Sequence, residues 1–197
     1  MKEISLSGSK RATVGKKSTK LLRKEGLVPC NLYGLATEDG KPVALPIAID
    51  EKSLGKAVFT PHIYVVNLNI DGEPHTAVIK ELQFHPVTDR VLHVDFLEVT
   101  ETKPITIGIP VKLVGLAEGV RSGGRMSLSI RKIEVTAPYK RIPEQLEVDV
   151  THLKIGKSIK VGELSFEGLE IATGKDVIVC SVKMTRAALS AAANAES

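Results

Sequence analysis

Residues 64–84 read YVVNLNIDGEPHTAVIKELQF, and this stretch decides the kind of fold that the chain can form. Its first part, Tyr64–Ile70, alternates between apolar and polar side chains, as a half-buried strand does. The dipeptide Asp71-Gly72 follows at once and is the strongest short signal for a two-residue β-hairpin turn. We therefore expect the first strand to pair antiparallel with a second strand over His75–Phe84.

Short β-branched runs broken by turn residues continue on both sides of this hairpin. Short antiparallel strands with one or two helices at the edges favour an α+β domain built on a small barrel. The dipeptide Asp39-Gly40 predicts a further turn between two of these strands. The additional strands are predicted over Ile4–Ser7, Val28–Gly34, Val43–Ile49 and Val91–Val99.

Two short helices are also predicted. In the first, Ser18 is the N-cap, Leu21 and Leu22 form an apolar stripe, and Gly26 ends the helix. If this helix starts early, Lys16, Lys20 and Arg23 share one face. The second helix is capped by Asp50 or Ser53 and runs to about Phe59.

A change of pattern at Glu98–Pro104 predicts a domain boundary, because the apolar alternation stops there. Beyond it the sequence is nearly all-β. We expect one domain over residues 1–99, an all-β domain over 104–184, and a disordered Ala-rich tail over 185–197. The clearest later strands are Ile105–Val114, Arg131–Ala137, Gln145–Val150 and Val177–Lys183.

The composition excludes several classes of protein. Aromatic residues make up only 4% of the 197 residues, so the core must be built from Val, Ile and Leu. No segment approaches the ~20 apolar residues that span a bilayer, and the N-terminus has no apolar export signal. Cys30 and Cys180 lie far apart without a CxxC pattern. We expect a reduced, cytoplasmic protein that holds no metal and no cofactor.

Positive charge is concentrated at one end of the chain. Residues 1–28 hold eight Lys/Arg and two acids, a net charge of +6, whereas the whole chain carries only +4. Everything after residue 28 therefore sums to −2. Such a field favours binding to a polyanion, of which a phosphate backbone is the usual one. The alternative is a solvated N-terminal arm, although these charges sit among apolar residues and glycines.

Gly15-Lys16 before a helix suggests a phosphate-binding loop, but the pattern of an NTPase is absent. Gly8 lies too far upstream, and Lys17 stands between Lys16 and Ser18. The better interpretation is that this loop and the N-terminus of the helix bind phosphates through positive charge and backbone N–H groups.

His93 and Asp95 form a second candidate cluster, because alternate residues of a strand point to the same face. An Asp beside a His can orient it for acid–base chemistry, so a hydrolase is one hypothesis. No nucleophile accompanies the pair, since Cys30 lies in an apolar strand. The same pair also suits RNA recognition, or a partly buried structural contact.

The glycine-rich segment 115–125 predicts tight turns rather than a nucleotide site, because no βαβ context surrounds it.

Taken together, these motifs resemble a known family: bacterial large-subunit ribosomal protein number twenty-five, in its long two-domain form, also called the general stress protein Ctc family. The resemblance covers nearly the whole chain except the tail. Its motifs are Arg11–Gly34, Gln83–Pro86, His93–Phe96, Gly115, Gly119-Val120, Gly123-Gly124, Ile142-Pro143-Glu144 and Val148-Asp149-Val150.

The resemblance implies a mainly β protein: a six-stranded β-barrel with short helices that grips 5S rRNA, followed by an all-β domain. It implies a structural, non-enzymatic part of the large ribosomal subunit, with 5S rRNA and neighbouring ribosomal proteins as partners. A stress-associated or tRNA-binding protein is the main alternative. The implied RNA-binding residues are Arg11, Lys16, Lys17, Thr19, Lys20, Arg23, Tyr33, Gln83, His85, His93 and Asp95.

Overall fold

The computed structural model describes residues 2–34, 37–38, 41–101 and 103–185. The chain divides into two compact units. The barrel unit comprises Met1–Ile105 with Pro138–Glu144, and the second unit comprises Thr106–Ala137 with Gln145–Ser197. The predicted turn at residues 39–40 lies outside the described residues, as does all of the predicted tail except residue 185. Within the described ranges, none of the helices is both long and apolar enough to cross a membrane.

Six strands of the barrel unit form a closed barrel in the order β1-β5-β2-β8-β7-β6, which confirms the six-stranded barrel. Strands β3 and β4 form a separate two-stranded ribbon. The elements of this part of the chain are β1 Lys2–Lys10, α1 Lys16–Lys24, β2 Leu27–Tyr33, β3 Thr37–Glu38, β4 Lys41–Pro42, β5 Leu45–Asp50, α2 Glu51–Val58, β6 Tyr64–Ile70, β7 Glu73–Phe84 and β8 Val91–Glu98.

The hairpin predicted from the opening stretch is confirmed. Ile70 faces Glu73 across a two-residue loop. Asp71 and Gly72 both have positive φ, 51° and 93°, as a type I′ turn requires. This turn fixes the register of β6 against β7, so the apolar side chains of both strands point into the barrel.

Four of the barrel's six strand pairs are antiparallel, as predicted, but the other two are parallel. Strand β1 pairs with β6 from Lys2 opposite Tyr64 to Gly8 opposite Ile70, and β2 pairs with β8 in the same sense. Parallel neighbours need a long crossover connection, which leaves no local turn signal in the sequence. Hairpin patterns therefore could not reveal them.

The core of the barrel is aliphatic, as the composition predicted. Leu54 of α2 is fully buried within the same core cluster. Phe96 is the one aromatic side chain among the fully buried core residues of the described ranges. Burial raises the pKa of the Cys30 thiol to about 12, so this cysteine is an inert core residue.

Helix α1 begins earlier than predicted, and Ser18 is not its N-cap. Gly15 occupies that position with φ 126° and no side-chain cap, while the Ser18 hydroxyl donates to the carbonyl oxygen of Thr13 at 3.1 Å. A hydroxyl pattern alone cannot show that a glycine upstream takes the cap position. The predicted stripe is also wrong in part, since Leu21 is 58% exposed. The predicted stop is correct, because Gly26 has φ 79°.

Helix α2 has the predicted Asp50 cap. The Asp50 carboxylate accepts hydrogen bonds from the Ser53 backbone N–H at 2.9 Å and from the Ser53 hydroxyl at 3.0 Å. These two bonds lower the pKa of Asp50 below its ordinary value of 3.8, because they favour the ionised form.

The substitution Asp50→Asn tests this cap through pH. A carboxyl whose pKa is lowered by folding stabilises the protein above its unfolded pKa and loses that contribution as pH falls through the folded pKa. Asn is an equally good N-cap, so we expect similar stability at pH 7 and a smaller loss below pH 3.8 in the variant. Urea denaturation at pH 7 and in acid measures this, and parallel pH profiles would contradict it.

The second unit is built on two sheets, a four-stranded one in the order β12-β9-β11-β14 and a three-stranded one in the order β10-β15-β13. It is mainly β, as predicted, and its described residues also include one four-residue α-helix and one three-residue 3-10 helix. From residue 105 onwards the elements are β9 Ile105–Val114, α3 Glu118–Arg121, β10 Arg125–Leu128, β11 Lys132–Ala137, β12 Leu146–Asp149, β13 Ser158–Lys160, β14 Glu170–Ile171 and β15 Ile178–Lys183.

The glycine-rich segment of this unit serves turns and close packing. Gly115 has φ 89°, a conformation that favours glycine. A Cβ on Gly119 would lie 2.6 Å from the backbone nitrogen of Ile155, so only glycine allows these two segments to approach. The segment contains α3 and the start of β10, which the sequence had assigned to loop.

Candidate nucleic-acid interface

One row of residues crosses five neighbouring strands or strand ends on the barrel. The backbone N–H of Arg11 donates to the carbonyl oxygen of Pro46 at 2.9 Å. Pro46 lies opposite Asn31, Asn31 opposite Asp95, and Asp95 opposite Glu81. Their strand neighbours alternate into the core, so the side chains of this row point outward. The row joins the basic end of the chain to the predicted polar face.

A second row crosses β8 two residues before Asp95, at His93. Gln83 lies directly opposite His93. The Nδ1 atom of His93 lies 3.6 Å from Oδ1 of Asp95, and both side chains retain about a quarter of their exposure. The prediction that His93 and Asp95 share one face of the sheet is confirmed. The arrangement places an imidazole, an amide and a carboxylate side by side at the surface.

Tyr33 ends β2 beside these rows and is half-buried. Burial raises the pKa of its phenol, and the negative charges of Asp95 and Glu81 raise it further. The Tyr33 hydroxyl is therefore protonated at neutral pH and can donate a hydrogen bond. Gly34 follows with φ 133°, and a Cβ there would meet Leu97 at 2.9 Å. Both the positive φ and the lack of space for a Cβ favour glycine at this position.

Helix α1 carries the exposed cations of the interface. Lys16, Lys17 and Lys20 are exposed and form no ion pair with any residue that the structure describes. The first turn contains no acidic residue. The positive end of the helix dipole and the lysine charges therefore add, which favours an anion at this terminus.

Thr19 has less capacity to bind a ligand than the presence of its hydroxyl suggests. The Thr19 hydroxyl lies 3.0 Å from the carbonyl oxygen of Gly15 and 3.1 Å from that of Lys16, and it donates within the helix. Its proton is therefore engaged in the helix, and only its oxygen lone pairs are available to a partner.

Arg11 lies at the end of the first row, opposite the end formed by Glu81, and is half-buried. Its Nη2 reaches the carbonyl oxygen of Thr13 at 3.4 Å. Its Nε is buried and has no hydrogen-bond partner among the described residues. A buried guanidinium nitrogen without a partner is costly in the free protein, which fits a side chain held ready for a ligand.

Arg23 performs a task that the sequence did not reveal. Its Nε and Nη2 both donate to the carbonyl oxygen of Leu92, at 3.0 Å and 2.8 Å. The guanidinium thereby ties α1 to β8, next to His93. Because Leu92 is 69 residues away in sequence, no local pattern could indicate this contact.

Arg23→Ala tests both roles of this side chain. We expect the free energy of unfolding to fall by about 1.5–3 kcal/mol, because two charge-assisted donors to Leu92 are lost. The log–log salt slope of RNA binding should fall by about one, because one cation is removed. Denaturation and salt titrations measure the two effects. Lys16→Ala is the control: it should change the slope and leave the stability nearly unchanged, and equal stability losses would contradict the contact.

His85 directly follows β7, which ends at Phe84, so this implied RNA-binding residue does not lie on a strand face. Its Nδ1 accepts hydrogen bonds from the backbone N–H groups of Val87 and Thr88, both at 3.3 Å. Pro86 has no N–H, and His85 organises the turn that follows. Since Nδ1 accepts, the neutral ring carries its proton on Nε2 and can donate there.

A cavity of about 570 Å³ lies beside α1 and β8 in the barrel unit. Lys20, Lys24 and His85 are among its lining residues. Its acidic lining residue, Glu51, is paired with Arg90, and this contact lowers the pKa of the Glu51 carboxyl. The cavity is therefore net positive and continuous with the helix cations.

Comparison with known proteins adds a family to this geometry. The model of the Ribosomal L25p family matches residues 6–96, and the model for the C-terminal domain of ribosomal protein TL5 matches residues 104–186. A protein of Phocaeicola vulgatus named large ribosomal subunit protein bL25 is 55% identical over 196 residues, 99% of both chains. Proteins of the same name from Bacteroides thetaiotaomicron and Porphyromonas gingivalis are 49% and 46% identical, over 99% and 98% of both chains.

Proposed function

The chain belongs to the ribosomal L25p family, and from that membership we propose that its barrel unit binds 5S rRNA in the large ribosomal subunit. Membership of the family gives the general role. The chain is a structural, non-enzymatic constituent of the large subunit of cytoplasmic ribosomes, where it lies beside other ribosomal proteins. The identity of the RNA partner and the residues that contact it are what we propose beyond this general role.

The observation that carries the proposal is the placement of two different surfaces side by side. Helix α1 presents Lys16, Lys17 and Lys20, which have no acidic partner among the described residues. The adjoining barrel rows present Tyr33, His93 and Asp95. Phosphates need cations, whereas base edges and 2′-hydroxyl groups need neutral donors and acceptors. A-form RNA displays both along its wide minor groove.

The two acids on the barrel face set the direction in which RNA can approach. Asp95 and Glu81 would repel a phosphate backbone laid across them. The backbone therefore follows α1, and Asp95 faces base edges or 2′-hydroxyl groups, from which a carboxylate accepts hydrogen bonds. Affinity then comes mainly from the helix charges, and selectivity for RNA shape comes from the His93–Asp95–Tyr33 face.

A gel-shift titration against 5S rRNA, with tRNA as competitor and at two salt concentrations, tests the proposal. We expect tight binding that resists tRNA and weakens steeply with salt. Weak binding that tRNA removes equally well would contradict it and favour the tRNA-binding or stress-protein alternative.

The hydrolase hypothesis for His93 and Asp95 is set aside. The family is structural and non-enzymatic. Cys30, two strand positions from Leu32 on the inner face of β2, is fully buried with a pKa near 12, so it supplies no thiolate.

A further inference from the structure

The three-stranded sheet of the second unit carries a polar strip that the proposed function does not use. In its register, Arg125 lies opposite Lys183, and Ser127 lies opposite Ser181. On the other side of β15, Ser158 also lies opposite Ser181. Residues directly opposite each other in a sheet project to the same face. Three serines therefore stand in a row across three strands, beside two cations. We call these five residues the serine strip.

The strip occupies the face that points away from the core of this sheet. The alternate residues Met126, Cys180 and Val182 pack into the apolar cluster of the second unit. On the strip face, the serines are half-buried, and both cations are exposed. The hydroxyls are thus fixed in position by strand geometry and remain accessible.

The polar groups of the strip have no protein partners in the described part of the chain. Within the described residues, the three serine hydroxyls form no hydrogen bond, and neither Arg125 nor Lys183 forms an ion pair. Like charges directly opposite each other in a sheet are destabilising. The half-buried hydroxyls are accessible and free to bind a ligand. An anion that carries several acceptor oxygens would relieve the repulsion between the two cations and accept hydrogen bonds from the hydroxyls.

We propose that the serine strip binds an RNA phosphate backbone, as a contact separate from the 5S rRNA interface on the barrel. The inference rests on the proposed ribosomal function, because it takes RNA as the surrounding polyanion. Arg, Lys and Ser side chains are common phosphate and sugar ligands. Serine hydroxyls donate to phosphate oxygens and also accept from 2′-hydroxyl groups. The carboxylates of an acidic protein segment can accept hydrogen bonds from the serine hydroxyls, but they cannot donate to them. RNA therefore fits the strip better than such a segment.

The test uses the full chain with its barrel interface saturated by 5S rRNA. A labelled uridine 20-mer is then titrated at several salt concentrations. For Arg125→Gln with Lys183→Gln, we expect the log–log slope to fall by about 1.4, since two phosphate contacts to a single strand are lost. The matched control is Arg131→Gln with Lys132→Gln, which removes two other exposed charges of the same unit. The control should leave the slope unchanged.

The central hydroxyl is tested separately with Ser181→Ala. This variant should weaken uridine binding several-fold without changing the slope, because it removes contacts but no charge. Thermal melts keep the result interpretable: the charge variant should melt at or above the wild-type temperature, since a like-charge pair is removed.

Three outcomes would overturn the inference. Slopes that are equal in the wild type and the charge variant would remove the strip from RNA binding. An equal fall of the slope in the control variant would mean that net charge alone causes the effect. Selective loss of poly-glutamate binding, with uridine binding intact, would assign the strip to an acidic protein segment. If the wild type fails to bind 5S rRNA, the proposed function fails, and titration of the free chain with the uridine oligomer still tests the strip.

Discussion

Replacing Lys16 and Lys20 together with glutamine is expected to weaken 5S rRNA binding on the order of 30-fold at 0.15 M salt. The two side chains lie one turn apart on the exposed surface of α1 and form no ion pair with any described residue. Each phosphate contact contributes about 0.9 to the log–log slope, so the slope should fall by about 1.8. Filter binding across a salt series measures both quantities.

Helix α2 supplies a matched control for this pair. Lys52→Gln with Lys56→Gln removes two exposed charges with the same spacing from the other helix of the barrel unit. Gln and Lys have similar helix propensities, so neither pair of substitutions should melt its helix. Equal losses of affinity from the two pairs would mean that net charge alone drives binding and would contradict the assigned interface.

Phe96→Ala is expected to lower the free energy of unfolding by about 3–5 kcal/mol. Phe96 is completely buried and lies between Leu32 of β2 and Ile79 of β7 in the register of the barrel. Its truncation leaves a cavity in a close-packed core, and the surrounding side chains relax only partly to fill such a cavity. Urea denaturation followed by circular dichroism measures the loss.

Phe84→Ala distinguishes burial from the mere removal of a ring. Phe84 is 42% exposed, and its ring lies against the ring of Phe59, with centroids 6.2 Å apart. We expect its truncation to cost about 1 kcal/mol, the scale of an exposed aromatic pair. Comparable losses from the two substitutions would contradict the assignment of Phe96 as the centre of the core.

Much of the fold could be predicted because its signals are local. The Asp71-Gly72 turn, the Asp50 cap and the alternation along β6 each depend on neighbouring residues only. The start of α1 could not be predicted, because Gly15 takes the cap position through its backbone conformation and Ser18 turns to Thr13 instead. The parallel strand pairs also escaped prediction, since they join distant segments.

The candidate site divides in the same way. Alternation along one strand was enough to place His93 beside Asp95. The contact of Arg23 with Leu92, by contrast, depends on how a helix docks on the barrel. The end of β7 at Phe84 was predicted correctly, but no local pattern showed that the ring of His85 serves the turn that follows. The unpartnered Nε of Arg11 is likewise visible only in three dimensions.

The parallel pair that closes the barrel has a consequence for how the chain folds during its own synthesis. Each residue of β1 from Lys2 to Gly8 pairs with a residue of β6 that lies 62 positions later. Strand β1 leaves the ribosomal tunnel before β6, so its edge towards β6 stays open until β6 emerges. Non-local pairing of this kind slows folding and exposes the nascent chain to aggregation. The charges of Lys2, Glu3 and Lys10 along β1 discourage premature pairing with other chains during that interval.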